Sequence, residues 1–258
     1  MDSAGNLYGT GRQVFEVSPG SGGWTEKVLH HFCSWRDCRD GNAPFAGVIL
    51  DPSGNIYGTT EAGGDYKAGT VYELRPTSSG WKEHVLHSFP AFPNDGQVPR
   101  VRALMLDASG RLYGTAQQGG ANICYDIGCG IIFRLTRGKK GRWNEEVLFN
   151  FNYDGNGTNG YGPGAGVVLD KKGNIYGTTI YGGSASCACW VVYGLAPQAK
   201  GKWKYSVLHT FQGLDGALPD ANLILDSKGN IYGTTVLGGP SDGLGGPSDG
   251  GVVFELTP

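Results

Sequence analysis

The six cysteines are the residues of this sequence whose spacing points most directly to a chemical reaction, the oxidation of thiols to disulfides. They form three local pairs: Cys33 and Cys38, Cys124 and Cys129, and Cys187 and Cys189. An even number of cysteines in tight pairs is typical of proteins that mature in an oxidising compartment. A metal site is the alternative, but no pair has the C-x-x-C spacing of common zinc sites. The sequence therefore predicts disulfides. Cys187 and Cys189 would close a small, strained ring, so bonds from these two to Cys124 or Cys129 remain an alternative.

Four Asp-Gly dipeptides recur in the loops that join one repeat to the next, and their carboxylates are candidates for binding a cation, a glycan or a partner. The aspartates are Asp40, Asp95, Asp154 and Asp215. Around the third, oxygen-bearing side chains alternate as in calcium loops, which makes Asp154, Asn156 and Asn159 a candidate metal site, although the closing glutamate is missing. Asp-Gly is also a common turn dipeptide, so a purely structural role is the alternative. Asn156 begins an Asn-x-Thr sequon and is a candidate glycosylation site.

Two tryptophans are candidate contact residues for a ligand or a partner. Trp35 and Trp190 lie beside cysteines in loops whose length varies along the chain. Variable loops on a rigid scaffold are where recognition usually occurs. At one position of the repeat described below, tryptophan recurs and packing is the expected role; these residues are Trp24, Trp81, Trp143 and Trp203.

The histidines form no catalytic or metal-binding motif in the sequence. His30, His87 and His209 occupy one repeat position that holds Phe149 in another copy, so a structural role is expected. The chain also lacks a nucleophile elbow, paired carboxylates at convincing positions and a histidine pair with metal spacing. The sequence therefore predicts no catalytic residue, no cofactor and no enzymatic activity.

One phrase indicates how the elements that carry these residues are arranged. "LDPSGNIYGTT" spans residues 50–60, close copies stand at 106–116, 169–179 and 225–235, and "MDSAGNLYGTG" opens the chain. An Asp side chain can accept a hydrogen bond from the backbone N–H two residues on, and Gly supplies the positive φ of a short hairpin. The phrase therefore predicts a tight turn between two strands. Gly58 is expected to let a neighbouring sheet approach closely.

Four apolar segments of five to nine residues recur in each unit, and we name them A to D in chain order. They are rich in Val, Ile, Leu and aromatic residues, which is typical of strands, and the phrase joins A to B. Four short antiparallel strands repeated about five times predict an all-β fold, a five-bladed β-propeller of four-stranded antiparallel blades. In this single domain the predicted blades are residues 1–32, 43–89, 99–151, 163–211 and 219–258.

The first and last predicted blades are each one strand short, because the first begins at segment B and the last ends at segment C. Three explanations are open. The terminal blades have three strands, the chain is a segment of a longer array, or another copy supplies the missing pairing. An unpaired edge strand is a template for a strand of another chain, and head-to-tail contacts build fibres when they do not close into a ring.

The stretch "PFAGVILDPSGNIYGTT" at residues 44–60 and its copies resemble the NHL-type and SBBP-type propeller repeats. They are more closely similar to bacterial tandem repeats of the Asn-x-x-Gly-x-x-Tyr-x-Thr-Thr or "GloVer" kind, which occur in large exported or surface-anchored proteins. The resemblance covers nearly the whole chain and brings no catalytic residues with it. It implies export and a cell-surface or extracellular location.

Composition narrows the classes of function further. With a net charge of −2 the chain gives no basis for nucleic-acid binding, and no apolar run approaches the roughly 20 residues of a membrane span. We expect a secreted or cell-surface protein with a structural or adhesive role, whose partners are other copies of itself or surface glycans. The alternatives are a lectin-like, carbohydrate-binding propeller and a propeller enzyme that acts on an extracellular polysaccharide.

Overall fold

The structure, a computed structural model, describes residues 1–90, 95–99, 103–124, 126–153, 155, 157–183, 190–239 and 250–257. Strands account for 52% of the residues and helices for 4%, and the strands form five small antiparallel sheets in a ring. The predicted five-bladed β-propeller is therefore confirmed. Four predicted site residues lie outside the described residues: Asp154, Asn156, Cys187 and Cys189.

Each blade is an antiparallel meander whose strands follow segments A to D. Blade 1 contains β1 (Leu7–Thr10), β2 (Gln13–Gly20) and β3 (Gly23–His31). Blade 2 contains β4 (Ile49–Leu50), β5 (Ile56–Thr60), β6 (Thr70–Thr77) and β7 (Gly80–Ser88), and β8 (Gly96–Gln97) follows it. Blade 3 contains β9 (Met105–Leu106), β10 (Leu112–Ala116), β12 (Ile131–Arg137) and β13 (Trp143–Asn150), and β11 (Gln118–Gly119) pairs with β8.

Blade 4 has an additional short strand. It contains β14 (Tyr161–Pro163), β15 (Val168–Leu169), β16 (Ile175–Tyr181), β17 (Trp190–Pro197) and β18 (Trp203–Phe211), and both β14 and β15 pair with β16. Blade 5 contains β19 (Ile224–Leu225), β20 (Ile231–Thr234) and β21 (Val253–Leu256). Among the described residues, three 3-10 turns lie between strands, at Arg36–Cys38, Lys139–Gly141 and Ala199–Gly201. In the same part of the chain, blades 1 and 5 have three strands each, as predicted.

In each copy of the recurring phrase, one aspartate accepts the hydrogen bonds that fix the turn. In blade 2, Asp51 Oδ1 accepts hydrogen bonds from the backbone N–H groups of Ser53 and Asn55 (2.8 and 2.9 Å). Its Oδ2 accepts from Asn55 Nδ2 (2.8 Å) and Tyr57 Oη (3.1 Å). Gly54 closes the turn with a φ of +81°. The same arrangement recurs at Asp2, Asp107, Asp170 and Asp226, with Arg111 in the place of the asparagine in blade 3.

The glycine after the tyrosine has a different role from the predicted one. Gly58 pairs with Tyr72 on the adjacent strand of its own sheet, and a Cβ atom on Gly58 would overlap Tyr72 Oη. An aromatic ring of the same blade, rather than a neighbouring sheet, therefore requires the space. The other blades contain equivalent pairs: Gly9–Phe15, Gly114–Phe133, Gly177–Tyr193 and Gly233–Phe254.

The hydrophobic core lies between blades. We call the side of a blade that faces the next blade its leading face, the opposite side its trailing face, and the contact between two consecutive blades a seam. Between blades 1 and 2, Val14 and Phe32 of blade 1 pack with Ile56, Tyr72 and Leu74 of blade 2. Equivalent cores join blades 2 and 3, 3 and 4, and 4 and 5. Among the described residues, no such core joins blade 5 to blade 1.

Candidate functional site

The first threonine of the recurring phrase forms a hydrogen bond across each seam. Thr59 Oγ1 of blade 2 donates to the carbonyl oxygen of Pro99 (3.0 Å), at the entry to blade 3. Three more bonds of this kind join Thr10 to Ala46 (2.5 Å), Thr115 to Ala165 (3.1 Å) and Thr178 to Pro219 (2.8 Å). The equivalent residue of blade 5, Thr234, is exposed. This threonine therefore links a blade to the one that follows it.

The loop after strand D brings a histidine and an aspartate together at three seams. The pairs are His87–Asp95 and His209–Asp215, whose Nε2 and Oδ2 atoms lie 2.9 Å apart, and His30–Asp40, at 3.8 Å. Asp40 and Asp95 are buried, whereas Asp215 is partly exposed. Sequence analysis identified these histidines and aspartates separately. In three repeats the histidine of strand D precedes the aspartate of the following loop, and this recurring order could have predicted that the two residues pair.

A glutamate of the next blade joins one of these pairs. Glu145, on strand D of blade 3, meets His87 and Asp95, and one ligand atom of each residue lies within 4.8 Å of the other two. Glu83 occupies the same position in blade 2, is 7% exposed and interacts electrostatically with Asp40, but the ligand atoms of His30, Asp40 and Glu83 do not all come within that distance of one another. The second seam therefore holds a cluster of one histidine, one aspartate and one glutamate, which sequence reasoning missed.

Burial is the largest cause of the pKa shifts of Glu83, Glu145 and His30 at these two seams. It raises the pKa of Glu83 to about 8, and the negative charge of Asp40 adds to the rise. Burial and the neighbouring Asp95 carboxylate also raise the pKa of Glu145 well above its usual value. Burial lowers the pKa of His30 and outweighs the opposite effect of Asp40.

Several polar atoms at the first two seams have unused hydrogen-bonding capacity. Among the described residues, no hydrogen-bond partner reaches His30 Nε2, either carboxylate oxygen of Glu83, or Glu145 Oε1. Buried polar groups are normally paired, because leaving one unpaired costs free energy. An ion bound at these atoms would remove that cost.

The seam between blades 3 and 4 has two aromatic rings in place of the cluster. Phe149 replaces the histidine and Tyr205 replaces the glutamate, and their rings stack with centroids 4.5 Å apart and planes 5° apart. At the next seam, His209 and Asp215 meet no such glutamate, because strand D is missing from the described part of blade 5. The histidine and glutamate are thus replaced together at the third seam, whereas the histidine stands without a described glutamate at the fourth.

Among the described residues, none covers the leading face of blade 5. Val253 is 80% exposed, whereas its equivalents in the other four blades are fully buried: Val14, Val71, Ile132 and Val192. Thr234 on the same face is also exposed. Blade 5 therefore presents apolar and hydroxyl groups that the other blades use to contact a neighbour.

The described part of the chain leaves the trailing face of blade 1 uncovered as well. Leu7 is 44% exposed and Trp24 is 60% exposed. The residues equivalent to Leu7 are fully buried: Ile56, Leu112, Ile175 and Ile231. Those equivalent to Trp24 pack against the cores, as expected for the recurring tryptophans: Trp81, Trp143 and Trp203. We call this face, with the leading face of blade 5, the open seam.

Two of the three predicted cysteine pairs are disulfides, Cys33–Cys38 and Cys124–Cys129. Such bonds are typical of proteins that mature outside the reducing cytoplasm. Asp40 fixes the loop of the first disulfide, because its carboxylate accepts hydrogen bonds from the backbone N–H groups of Ser34 (2.8 Å) and Trp35 (3.3 Å).

The other candidate contact residues lie apart from one another. Trp35 is 49% exposed and lines an open cleft that also contains Arg36, Arg39, Asp65, Val85 and Ser88. Trp190 begins β17 and packs, partly buried, against the core between blades 4 and 5. The carbonyl oxygen of Asn159 accepts a hydrogen bond from Tyr205 Oη. Ligand contact by Trp35 and Trp190, and metal binding by Asn159, stay predictions.

No helix among the described residues is long and apolar enough to cross a membrane.

Comparisons with solved structures find low similarity. The chain is similar to a protein of unknown function from Dyadobacter fermentans DSM 18053, with 13% identity and a TM-score of 0.44, covering 86% of this chain and 64% of that one. A candidate oxidoreductase (glucose dehydrogenase) from Thermus thermophilus has 13% identity and a TM-score of 0.38, with coverage of 99% and 94%. The extracellular domain of a candidate one-component system from B. thetaiotaomicron has 11% identity and a TM-score of 0.26, with coverage of 90% and 38%.

The present chain thus spans less than two thirds of the first of these structures, and the three similarities carry no argument about its function. No curated protein matches the chain. A family model described as the Gloeobacter/Verrucomicrobia repeat matches residues 1–244. Because this match includes all five copies of the recurring phrase, the chain belongs to the Gloeobacter/Verrucomicrobia repeat family.

Proposed function

We propose that this protein is a non-enzymatic, extracellular structural protein whose copies assemble head to tail through the open seam. The observation that carries the proposal is the 80% exposure of Val253, a residue whose four equivalents are fully buried. An apolar side chain of this size contributes about 1.5–3 kcal/mol when it is buried. Exposed apolar patches on soluble proteins mark surfaces that bind a partner.

The partner for this surface is a second copy of the chain. At four seams of the same molecule, a leading face packs on a trailing face with the same types of residue. One copy offers an unused leading face on blade 5 and an unused trailing face on blade 1. Blade 1 of one copy therefore fits blade 5 of the next, and such a heterologous contact extends into a fibre or closes into a larger ring.

Packing between faces is favoured over the pairing of edge strands that the sequence suggested. Face packing buries Leu7, Trp24 and Val253 together, whereas edge pairing would leave these three side chains in water. The two disulfides support an extracellular location, because such bonds persist in oxidising environments.

The position of the carboxyl groups supports a function without catalysis. A glycosidase needs two carboxyl groups on either side of an open cleft, about 5 Å or more apart. Asp95 and Glu145 are close together, but Asp95 is buried at a seam, out of reach of a polysaccharide chain. Turnover of an extracellular polysaccharide by the purified chain would contradict this part of the proposal.

A mixing experiment tests the assembly. Val253→Asp blocks the leading face of blade 5 and Trp24→Lys blocks the trailing face of blade 1, so each variant alone should be monomeric in light scattering. A mixture of the two should form a 1:1 dimer and nothing longer, because one intact face remains on each copy. The unsubstituted chain should form concentration-dependent oligomers.

Ile123→Asp is the matched control, since Ile123 is a 68% exposed apolar residue outside the open seam, and this variant should assemble normally. An unsubstituted chain that stays monomeric at every concentration would show that the seam closes within one molecule or takes another partner. A mixture of the two variants that stays monomeric would contradict head-to-tail contact.

Glycan binding is a second candidate function, favoured by the cleft beside Trp35. There an exposed indole ring lies beside the ion pair of Arg39 and Asp65, whose Nη2 and Oδ1 atoms are 2.6 Å apart. Aromatic rings with nearby polar groups suit a sugar, which has both apolar and hydroxyl surfaces. On a glycan array, the Trp35→Ala variant should lose glycan binding, whereas the control variant Trp24→Ala should retain it. Equal glycan binding by the two variants would exclude this candidate function.

A further inference from the structure

Three side chains that commonly ligate metals converge on the seam between blades 2 and 3. His87 Nε2 lies 2.9 Å from Asp95 Oδ2, and an oxygen of Glu145 completes a group whose ligand atoms all lie within 4.8 Å of one another. Ligands about 2.1 Å from a tetrahedral zinc ion lie about 3.4 Å from one another. Small side-chain movements therefore suffice to place all three around one ion.

The seam between blades 1 and 2 carries the same three residue types but lacks so close a group. Glu83 is 7% exposed, and among the described residues no hydrogen-bond partner reaches its carboxylate oxygens or His30 Nε2. That nitrogen lies 3.8 Å from Oδ2 of the fully buried Asp40, but the ligand atoms of His30, Asp40 and Glu83 do not all lie within 4.8 Å of one another. The seam between blades 2 and 3 is therefore the better candidate for an ion.

At the third seam the histidine and the glutamate are both replaced. Phe149 stands in place of the histidine and Tyr205 in place of the glutamate, and the two rings stack on each other. This joint replacement fits a shared ligand, whose loss leaves space that a pair of rings fills. At the fourth seam, by contrast, His209 stays paired with Asp215 although no described glutamate faces it.

We propose that the cluster His87–Asp95–Glu145 binds one divalent transition-metal ion of the zinc type. One imidazole nitrogen and two carboxylate oxygens form a ligand set that suits Zn²⁺, whereas Ca²⁺ takes six to eight oxygen ligands. The ligands come from two consecutive blades, so the ion joins those blades. This proposal does not depend on assembly through the open seam.

Zinc titration of the chelator-treated chain tests the proposal. Isothermal titration calorimetry should give one Zn²⁺ ion per chain. At zinc concentrations about 100 times the dissociation constant, the thermal midpoint should rise by about 5 °C or more. His87→Phe/Glu145→Tyr introduces the pair found at the third seam and should remove this ion. His30→Phe/Glu83→Tyr makes the same change at the first seam and should leave the ion bound.

Asp215→Asn is a further control, because among the described residues the His209–Asp215 pair has no glutamate partner, and this variant should still bind one ion. The unfolding midpoints of both double variants in chelator show whether they are folded, and the stacked Phe149 and Tyr205 show that the scaffold accepts such a pair. The proposal is overturned if the unsubstituted chain takes up no zinc, or if the folded His87→Phe/Glu145→Tyr variant binds as much zinc as the unsubstituted chain.

Discussion

At the scale of single residues, the aspartate of the recurring phrase accepts several hydrogen bonds at once. Burial acts to raise the pKa of Asp51, but hydrogen bonds from Asn55, Tyr57 and Ser53 outweigh it and hold that pKa below its usual value. The same direction holds for Asp2, Asp107, Asp170 and Asp226. A lowered pKa in the folded state means that the carboxylate contributes stability above its unfolded-state pKa, and that this contribution is lost as pH falls towards the folded-state pKa.

Asp51→Ala should therefore lower the free energy of unfolding at pH 7 by about 1–2 kcal/mol, because the turn loses its acceptor. The deficit should shrink below the ordinary aspartate pKa of 3.8, since Asp51 of the unsubstituted chain becomes protonated there. Urea unfolding of both proteins between pH 7 and pH 2 measures this difference. A deficit that is constant over the whole range would show that the charge of Asp51 has no part in stability.

At the scale of strands, two adjacent residues of strand B make different contacts, one within the blade and one with the next blade. The glycine accommodates an aromatic ring of its own sheet, as Gly58 does for Tyr72, and the next threonine bonds to the entry of the following blade. The periodicity of the sequence predicted the strand and its neighbours. It did not predict which blade each side chain contacts. Side chains alternate between the two faces of a strand, but this alternation does not show which element packs on each face.

Thr178→Val should destabilise the protein by about 1–2 kcal/mol, because the buried carbonyl of Pro219 loses its donor. Thr234→Val is the matched control. Thr234 has the same place in blade 5 but is exposed, so its replacement should change stability by no more than about 0.5 kcal/mol. Equal losses in denaturant unfolding of the two variants would show that the hydrogen bond between blades contributes nothing.

At the scale of the whole molecule, the described cores connect the five blades in a row, with the open seam between the last and the first. Within the described ranges, blades 2, 3 and 4 are covered on both faces, whereas blades 1 and 5 are covered on one. Equivalent residues therefore differ in their contribution to stability according to the blade in which they lie.

Val71→Ala should cost about 2 kcal/mol, because it removes two buried methyl groups from a filled core. Val253→Ala should cost almost nothing in dilute, unassembled protein, since Val253 is 80% exposed. Thermal or denaturant unfolding of the two variants measures the difference. A similar cost at both positions would mean that blade 5 packs on blade 1 in the same molecule, and would contradict the open seam.

The sequence by itself determined the features that depend on neighbouring residues. The turn is closed by bonds between residues two to six positions apart, as in Asp51 to Tyr57, and the two described disulfides each join cysteines five positions apart. Repetition of these local units then predicted the strands, the blades and the three-stranded ends. The Asp-Gly aspartates and the recurring histidines were also recognised, but not their meeting with a glutamate of the next blade.

Only the tertiary structure decided which of several similar surfaces are covered. Val71 and Val253 stand in nearly the same local sequence, "TVYEL" and "VVFEL", yet the first is fully buried and the second is 80% exposed. The pairing of His87 and Asp95 with Glu145 likewise joins residues of two different repeats. Repeats with the same pattern fold into the same sheet, so the pattern cannot distinguish a blade with a neighbour from one without; that difference arises from packing between sheets that are far apart in the sequence.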